Sequence, residues 1–289
     1  MTAMLSTHTL EVPGAALAYD VRGPLPPADG RPPLLMVGQP MDAGGFGTLA
    51  GLVADRTVVT YDPRGLARSE RTDGRTDHDP EQQADDLHRL IGSLGAGPVD
   101  LFASSGGAVT ALALVAAHPG DVRTLVAHEP PVLGVLPDAE RAFAGERAFL
   151  AAYQRSGFGA GMAGFLAFTS WQGEFPDSFE VPDPASFGLP AEDDGARDDP
   201  LLSGASAPVT GFRPDVEALT AASTRVVVAA GTESRGTVTW RTSEALAALL
   251  GQELTVFPSH HGGFLGGEHG YAGQPEAFAA RLREVLGEG

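Results

Sequence analysis

Residues 98–114 read PVDLFASSGGAVTALAL, and the fold follows from how this run divides. Val99-Asp100-Leu101-Phe102 is a short apolar run that predicts a buried strand. Ala103-Ser104-Ser105-Gly106-Gly107 leads it into an Ala/Leu/Val-rich helix ending near His118-Pro119. A strand that turns at once into a helix strains the residue at the bend, Ser105, and exposes its side chain. Only small neighbours two positions to either side let strand and helix pack that closely. The pattern is small-x-Ser-x-Gly, a nucleophile-elbow arrangement, with Ala103 at the first small position. The helical N–H groups from Gly106 onward point toward whatever the hydroxyl attacks. The alternative is a Gly/Ser-rich strand–helix turn without chemistry.

Upstream, Thr7 to Val12 and Ala16 to Val21 predict two short strands joined at Pro13-Gly14. Leu34 to Val37 and Thr57 to Tyr61 are continuous apolar runs suited to strands buried on both faces. A helix is expected from Phe46 to Ala54. Asp79-Pro80 opens an amphipathic helix through Leu94, with Leu87, Leu90, Ile91 and Leu94 on one face. Downstream, a strand from Arg123 to Ala127 ends at His128-Glu129-Pro130-Pro131. Alternation then breaks. From Val132 to Ala222 there are helical pieces (138–154, 161–171 and 214–221) and, between Glu174 and Asp199, a loop with nine acids against Arg197 alone. Such a stretch repels itself, which predicts a mobile or loosely wrapped segment. Alternation resumes with strand 225–230, helix 239–250, strand 253–257 and helix 276–286. Strands alternating with helices predict a mostly parallel sheet covered on both faces, with one insertion.

Composition narrows the chemistry. A chain of 289 residues can bury a full core as one large α/β domain. It has no cysteine, which removes disulfides, thiolate metal sites and a cysteine nucleophile. All 19 of its basic residues are arginine, so a Schiff-base mechanism has no lysine to use. The net charge of −18 argues against nucleic acid and anionic membranes as partners. No apolar run is long enough to span a bilayer. The opening MTAMLSTHTLEV lacks the basic and apolar regions of a secretory signal, so a cytoplasmic location is expected. A homodimer stays open.

In an open parallel sheet, functional groups gather at the carboxyl ends of strands. Those ends carry Gly38-Gln39, Asp62-Pro63-Arg64-Gly65, Ser105, His128-Glu129, Gly231-Thr232-Glu233-Ser234 and Ser259-His260-His261. A serine first, acids in the middle and a histidine last is the chain order of the α/β-hydrolase triad. YDPRGLARSE (61–70), the elbow at 103–107 and PSHHGGF (258–264) together make the chain resemble that superfamily over nearly its whole length. The resemblance implies a bacterial, capped α/β-hydrolase fold with a mostly parallel eight-stranded sheet and helices on both faces. Its core would be 1–131 and 223–289, and 132–222 its helical cap. It implies no cofactor and no metal.

Carried over residue by residue, Ser105 is the candidate nucleophile and His261 its base, with His260 the rival. His78, His88 and His269 read as ordinary surface histidines. The family commonly puts an Asp where this chain has Ser234, which leaves two candidates for the acid. Glu129 ends the strand after the elbow helix, a position some members use, and Glu233 is one residue from the usual place. The oxyanion donors would be the N–H groups of Gln39 and Gly106, although the usual His before Gly38 is replaced by Val37. Arg64 is expected to brace loops through Asp62. In the insertion, Phe165, Phe168, Trp171 and Phe175 are candidates for an apolar substrate pocket or for simple cap core.

These readings predict a cofactor-independent, esterase-like serine hydrolase acting on an acyl bond of a small, largely apolar substrate. A serine at position 105 sets aside members that use a carboxylate nucleophile. Two rivals remain: a lyase, acyltransferase or haloperoxidase-like enzyme on the same fold, and a ligand-binding scaffold with little or no turnover.

Overall fold

The computed structural model describes residues 5–287; the first four residues of the opening stretch lie outside them. The chain begins with an antiparallel hairpin, β1 (Leu5–Val12) and β2 (Ala15–Arg22), turned at Pro13-Gly14. It continues through β3 (Leu34–Val37), α1 (Gly47–Leu52), β4 (Val58–Tyr61), β5 (Glu70–Arg71), α2 (Pro80–Leu94), β6 (Val99–Ser104), α3 (Gly106–Ala117) and β7 (Val122–His128). After the insertion come β8 (Arg225–Gly231), α7 (Val238–Leu249), β9 (Thr255–Phe257) and α8 (Pro275–Leu286). The insertion itself holds α4 (Ala139–Ser170), α5 (Ala207–Thr210) and α6 (Val216–Ala221). Strand order is β1-β2-β4-β3-β6-β7-β8-β9, parallel from β4 onward, with β5 paired to β2 at one side. This is the expected eight-stranded, mostly parallel sheet, plus the two-residue β5. Among the described residues no helix is long and apolar enough to cross a membrane.

The unbroken apolar runs follow from the pleat. Successive side chains of a strand face opposite sides, and here each side is a separate core. Leu35, Val37, Val59, Leu101, Ala103, Leu125 and Val228 pack under α2, α3 and α7. Leu34, Met36, Val58, Phe102, Val126, Val227 and Phe257 pack under α1 and α8. Each such side chain contributes about 1.5–3 kcal/mol by leaving water. Helix α2 starts at Asp79, whose carboxylate accepts from the N–H groups of Glu81 and Gln82. It ends at Gly95 in the left-handed conformation.

A buried charge cluster sits at the amino-terminal end of β6. Asp100 accepts from Arg56 Nη2 at 2.8 Å and from Arg123 Nε and Nη2 at 2.8 and 2.6 Å, with the Asp100 and Arg56 side chains both buried. Removing one member of a buried ion cluster leaves opposite charge in a poor dielectric. Asp100→Ala is expected to lower unfolding free energy by about 3–5 kcal/mol in urea titration. A loss under about 1 kcal/mol would mean the cluster is solvated.

The insertion has a core of its own. Helix α4 is broken at Gly157 (φ 80°, ψ −166°), a backbone conformation open to glycine and costly to other residues. Its two arms correspond to the two helical pieces expected at 138–154 and 161–171. They fold on each other through Phe149, which meets Phe165 and Phe168 with ring centroids 5.7 and 5.5 Å apart. The acidic stretch 174–199 is not loosely wrapped. Phe175 is buried on Phe168, its N–H donates to Asp138 Oδ2 at 2.7 Å, and Phe179 and Val181 pack against the same cluster. Its apolar residues outweigh the self-repulsion of its acids, most of which face solvent. Arg241 of α7 ties the insertion to the sheet through Asp138 and Gly173 O.

Candidate active site

Ser105 stands at the bend between β6 and α3 with φ 58° and ψ −130°. A serine in that region costs of order 1–3 kcal/mol and is held only by its surroundings. Two contacts hold it. Its N–H donates to His128 O at 2.9 Å across the β6–β7 pair. Gly107 presses on β3, where an added Cβ would lie 2.5 Å from Val37 O. The hydroxyl is partly exposed and has no hydrogen-bond partner among the described residues.

Beside it, β7 delivers Glu129, fully buried and also at positive φ (52°). Its Oε1 accepts from Gly231 N at 2.9 Å. Its Oε2 accepts from Thr239 Oγ1 at 2.6 Å and from His261 Nδ1 at 2.6 Å. A carboxylate can only accept, so Nδ1 carries a proton, and whenever the imidazole is neutral its lone pair sits on Nε2. Burial alone would raise the Glu129 pKa. The charge and hydrogen bond of His261 outweigh it, and the carboxyl lies well below its ordinary value. Backbone donor, hydroxyl and imidazole thus converge on one ionised acid.

The other candidates sit elsewhere. Glu233 is exposed, its carboxylate accepts from Gln274 Nε2 at 2.9 Å, and it makes no hydrogen bond to His261 among the described residues. His260 accepts from Gly262 N through Nδ1 and lies against Ala272 O through Nε2. Gln39 is buried against Gly106, where an added Cβ would lie 2.9 Å from Gln39 O. The two residues expected to supply oxyanion donors are therefore neighbours. Phe165, Phe168 and Phe175 belong to the insertion's own core. Trp171 is 37% exposed, its indole N–H donating to Glu174 O. These four pack with one another or face solvent, and Trp171 also lines an open groove of about 630 Å³ with Phe179 and Phe187. Arg64 braces loops through a different partner from the one expected. It grips Asp86 at 2.6 and 2.5 Å and Asp73 at 3.3 Å, while Asp62 pairs with Arg68. A cavity of about 390 Å³ is lined by Arg64, Arg71, His78, Arg197 and Ser203 among others, and by none of Ser105, Glu129 and His261.

One histidine read as a surface residue is buried, and a second, at the end of β7, lies deeper than its strand-end position showed. His78 is buried, not on the surface, and its Nδ1 meets Gln39 Nε2. His128 is fully buried under Phe102 and Phe278, with Nδ1 3.1 Å from Ser104 Oγ and its ring stacked 6.1 Å from that of His261. No local pattern separates them from surface histidines; only strand order and the loop after β5 bury them. Thr239 was likewise invisible, as one hydroxyl among several at a helix start. Burial lowers both histidine pKa values to about 4, with Arg71 adding to the effect at His78, and His261 and His260 adding at His128 against the opposing charge of Glu129. The unfolded chain protonates them near 6.5, and the folded chain does not until about pH 4. Their contribution is therefore complete above pH 6.5 and falls as pH drops toward 4. Between pH 6 and 5 unfolding free energy should fall with a slope approaching two protons, about 1.4 kcal/mol per pH unit for each. His78→Asn should remove one of them, and an unchanged slope would contradict this.

One group among the described residues has metal-ligand chemistry. His88, His118 and Asp121 lie at the opposite end of α3 from Ser105, ~18 Å along the helix. The two imidazoles stack face to face at 3.8 Å, so their in-plane lone pairs run parallel rather than converging. Asp121 Oδ2 already bonds His88 Nδ1 at 2.6 Å.

A family model described as "Alpha/beta hydrolase family" matches residues 34–281. The uncharacterized hydrolase YraK of Bacillus subtilis (strain 168) is 39% identical over 133 residues, 46% of this chain and 47% of that protein. The chain thus matches about half the length of that relative. A thermophilic esterase from Thermogutta terrifontis superposes with a TM-score of 0.64 at 24% identity, covering 99% of both chains. An alpha/beta hydrolase from Sphaerobacter thermophilus superposes with a TM-score of 0.63 at 22% identity, covering 96% of this chain and 100% of the other. At such identities the superpositions speak for the fold.

Proposed function

This chain belongs to the alpha/beta hydrolase family, and from that premise we propose that it hydrolyses an acyl bond, ester-like in character, through Ser105, His261 and Glu129. The observation that most supports the reading is the 2.6 Å bond from His261 Nδ1 to a fully buried, ionised Glu129. It fixes the tautomer that a general base needs. In this reading Ser105 Oγ attacks the carbonyl carbon and its proton passes to His261 Nε2. The tetrahedral oxyanion is met by the N–H groups of Gln39 and Gly106 at the positive end of α3. The bond to the leaving group breaks as His261 returns the proton to it, and water then releases the acid by the same two steps. Residues 132–222 act as the cap over this site, and 1–131 with 223–289 as its catalytic body. Glu129 is preferred to Glu233 as the acid on hydrogen bonding alone.

A fluorophosphonate probe tests this. The probe's phosphorus should be attacked by Ser105 Oγ with loss of fluoride, and mass spectrometry of the digested protein should find the adduct on the peptide containing Ser105. His261→Ala should suppress the adduct. Wild-type protein that stays unlabelled, or is labelled on another serine, would overturn the proposal and leave the ligand-binding scaffold as the better account.

A further inference from the structure

Gln39 is tied into the molecule from two directions. Its Cβ and Cγ pack on Gly106, where an added Cβ would lie 3.0 and 3.1 Å from them. Its Nε2 meets His78 Nδ1, and His78 is in turn held by the insertion. The His78 backbone N–H donates to Ala205 O at 2.8 Å, and Ser206 Oγ lies 3.3 Å from the ring Nδ1. A run of contacts thus leads from Ala205 and Ser206 of the insertion through His78 to the loop after β3. Gln39 and His78 are both more than nine-tenths buried, and Gln39 Oε1 has no hydrogen-bond partner among the described residues. A buried amide oxygen without a partner is costly, and such groups are kept where a function needs them. His78 also borders the 390 Å³ cavity, whose lining does not include Gln39.

We propose that His78 is a positioning residue that clamps Gln39 between the insertion and Gly106, and thereby aims the Gln39 N–H at the developing oxyanion. The proposal rests on the acyl-hydrolase reading. His78 does not touch substrate; it acts through Gln39. A donor displaced from its aim loses transition-state stabilisation while ground-state binding is unaffected, so the effect falls on kcat and spares KM.

The test uses the full-length protein with His78→Phe, His78→Asn, Gln39→Leu and the double variant His78→Phe/Gln39→Leu. Three readouts are taken: the rate of fluorophosphonate labelling, kcat and KM on a short-chain p-nitrophenyl ester, and hydrogen exchange of the peptide spanning 38–46. His78→Phe, which keeps a ring but no acceptor, should slow labelling and kcat by about 10- to 100-fold with KM within about twofold. It should also raise exchange in 38–46. Asparagine, whose amide can meet Gln39 much as Nδ1 does, should recover most of the loss. The double variant should be no worse than Gln39→Leu alone, since the two act as a unit. Wild-type rates in His78→Phe, a loss that Asn does not restore, additive losses, or unchanged exchange would each overturn the clamp. Wild-type protein that resists the probe would instead sink the acyl-hydrolase reading, and the exchange readout would still decide whether His78 holds the loop.

Discussion

Ser105→Ala is expected to lower kcat on any acyl ester the protein turns over by about 10⁵- to 10⁶-fold, with KM little changed. Ser105 carries the only bond made to substrate in the proposed path, so no neighbouring group can stand in for it. What survives would be the pull of the Gln39 and Gly106 N–H groups on a carbonyl attacked by water, worth about 10³- to 10⁴-fold over solution. The fold should not suffer. Alanine at φ 58° is no better suited to the bend than serine, and the Ser105 hydroxyl makes no hydrogen bond within the described residues whose loss would matter. Thermal midpoints within about 2 °C alongside a collapse of turnover would separate chemistry from folding. Turnover within tenfold of wild type would reject the serine.

The second large effect is at Glu129. In Glu129→Gln, Oε1 can still accept from Gly231 N and the Thr239 hydroxyl can rotate to accept instead of donate. The amide nitrogen then faces His261 Nδ1 and donates to it. The imidazole is forced into the opposite tautomer, with its proton on Nε2, where it cannot take one from Ser105. The expected fall in kcat is about 10⁴-fold, or about 5.5 kcal/mol. Glu233→Gln, by contrast, exchanges one exposed partner of Gln274 for another and should change kcat by less than about twofold. Equal losses in the two variants, or a larger one at Glu233, would reject the assignment.

What could be read along the chain was whatever depends on neighbours in sequence. The runs at 34–37, 58–61 and 99–104 declare strands with two buried faces because each alternate residue has its own core to enter. Helix α2 announces both ends, with Asp79-Pro80 before it and Gly95 after it. The candidate acid could not be chosen, because Glu129 and Glu233 are both strand-end carboxylates. Only the positive φ at Glu129 and the side on which β9 delivers His261 distinguish them. The burial of His78 and His128 depended on contacts from 39, 104, 205 and 206, too distant for any periodicity to report. Arg64 was given the wrong partner for the same reason, since Asp86 is 22 positions away on α2.

The carboxylate bonded to His261 comes from the end of β7, and this leaves the connection after β8 without a side chain on the imidazole. That connection has been put to other use: Gly236 O receives the Gly173 N–H, and Arg241 just beyond it grips Asp138 and Gly173 O. The docking cradle for residues 132–222 is therefore written partly outside them. A chimera that swaps residues 132–222 for those of a relative, with breakpoints after β7 and before β8, would sever those bonds. An exchange carried through to residue 241 would move both sides of those bonds together, which makes 132–241 the unit that travels intact.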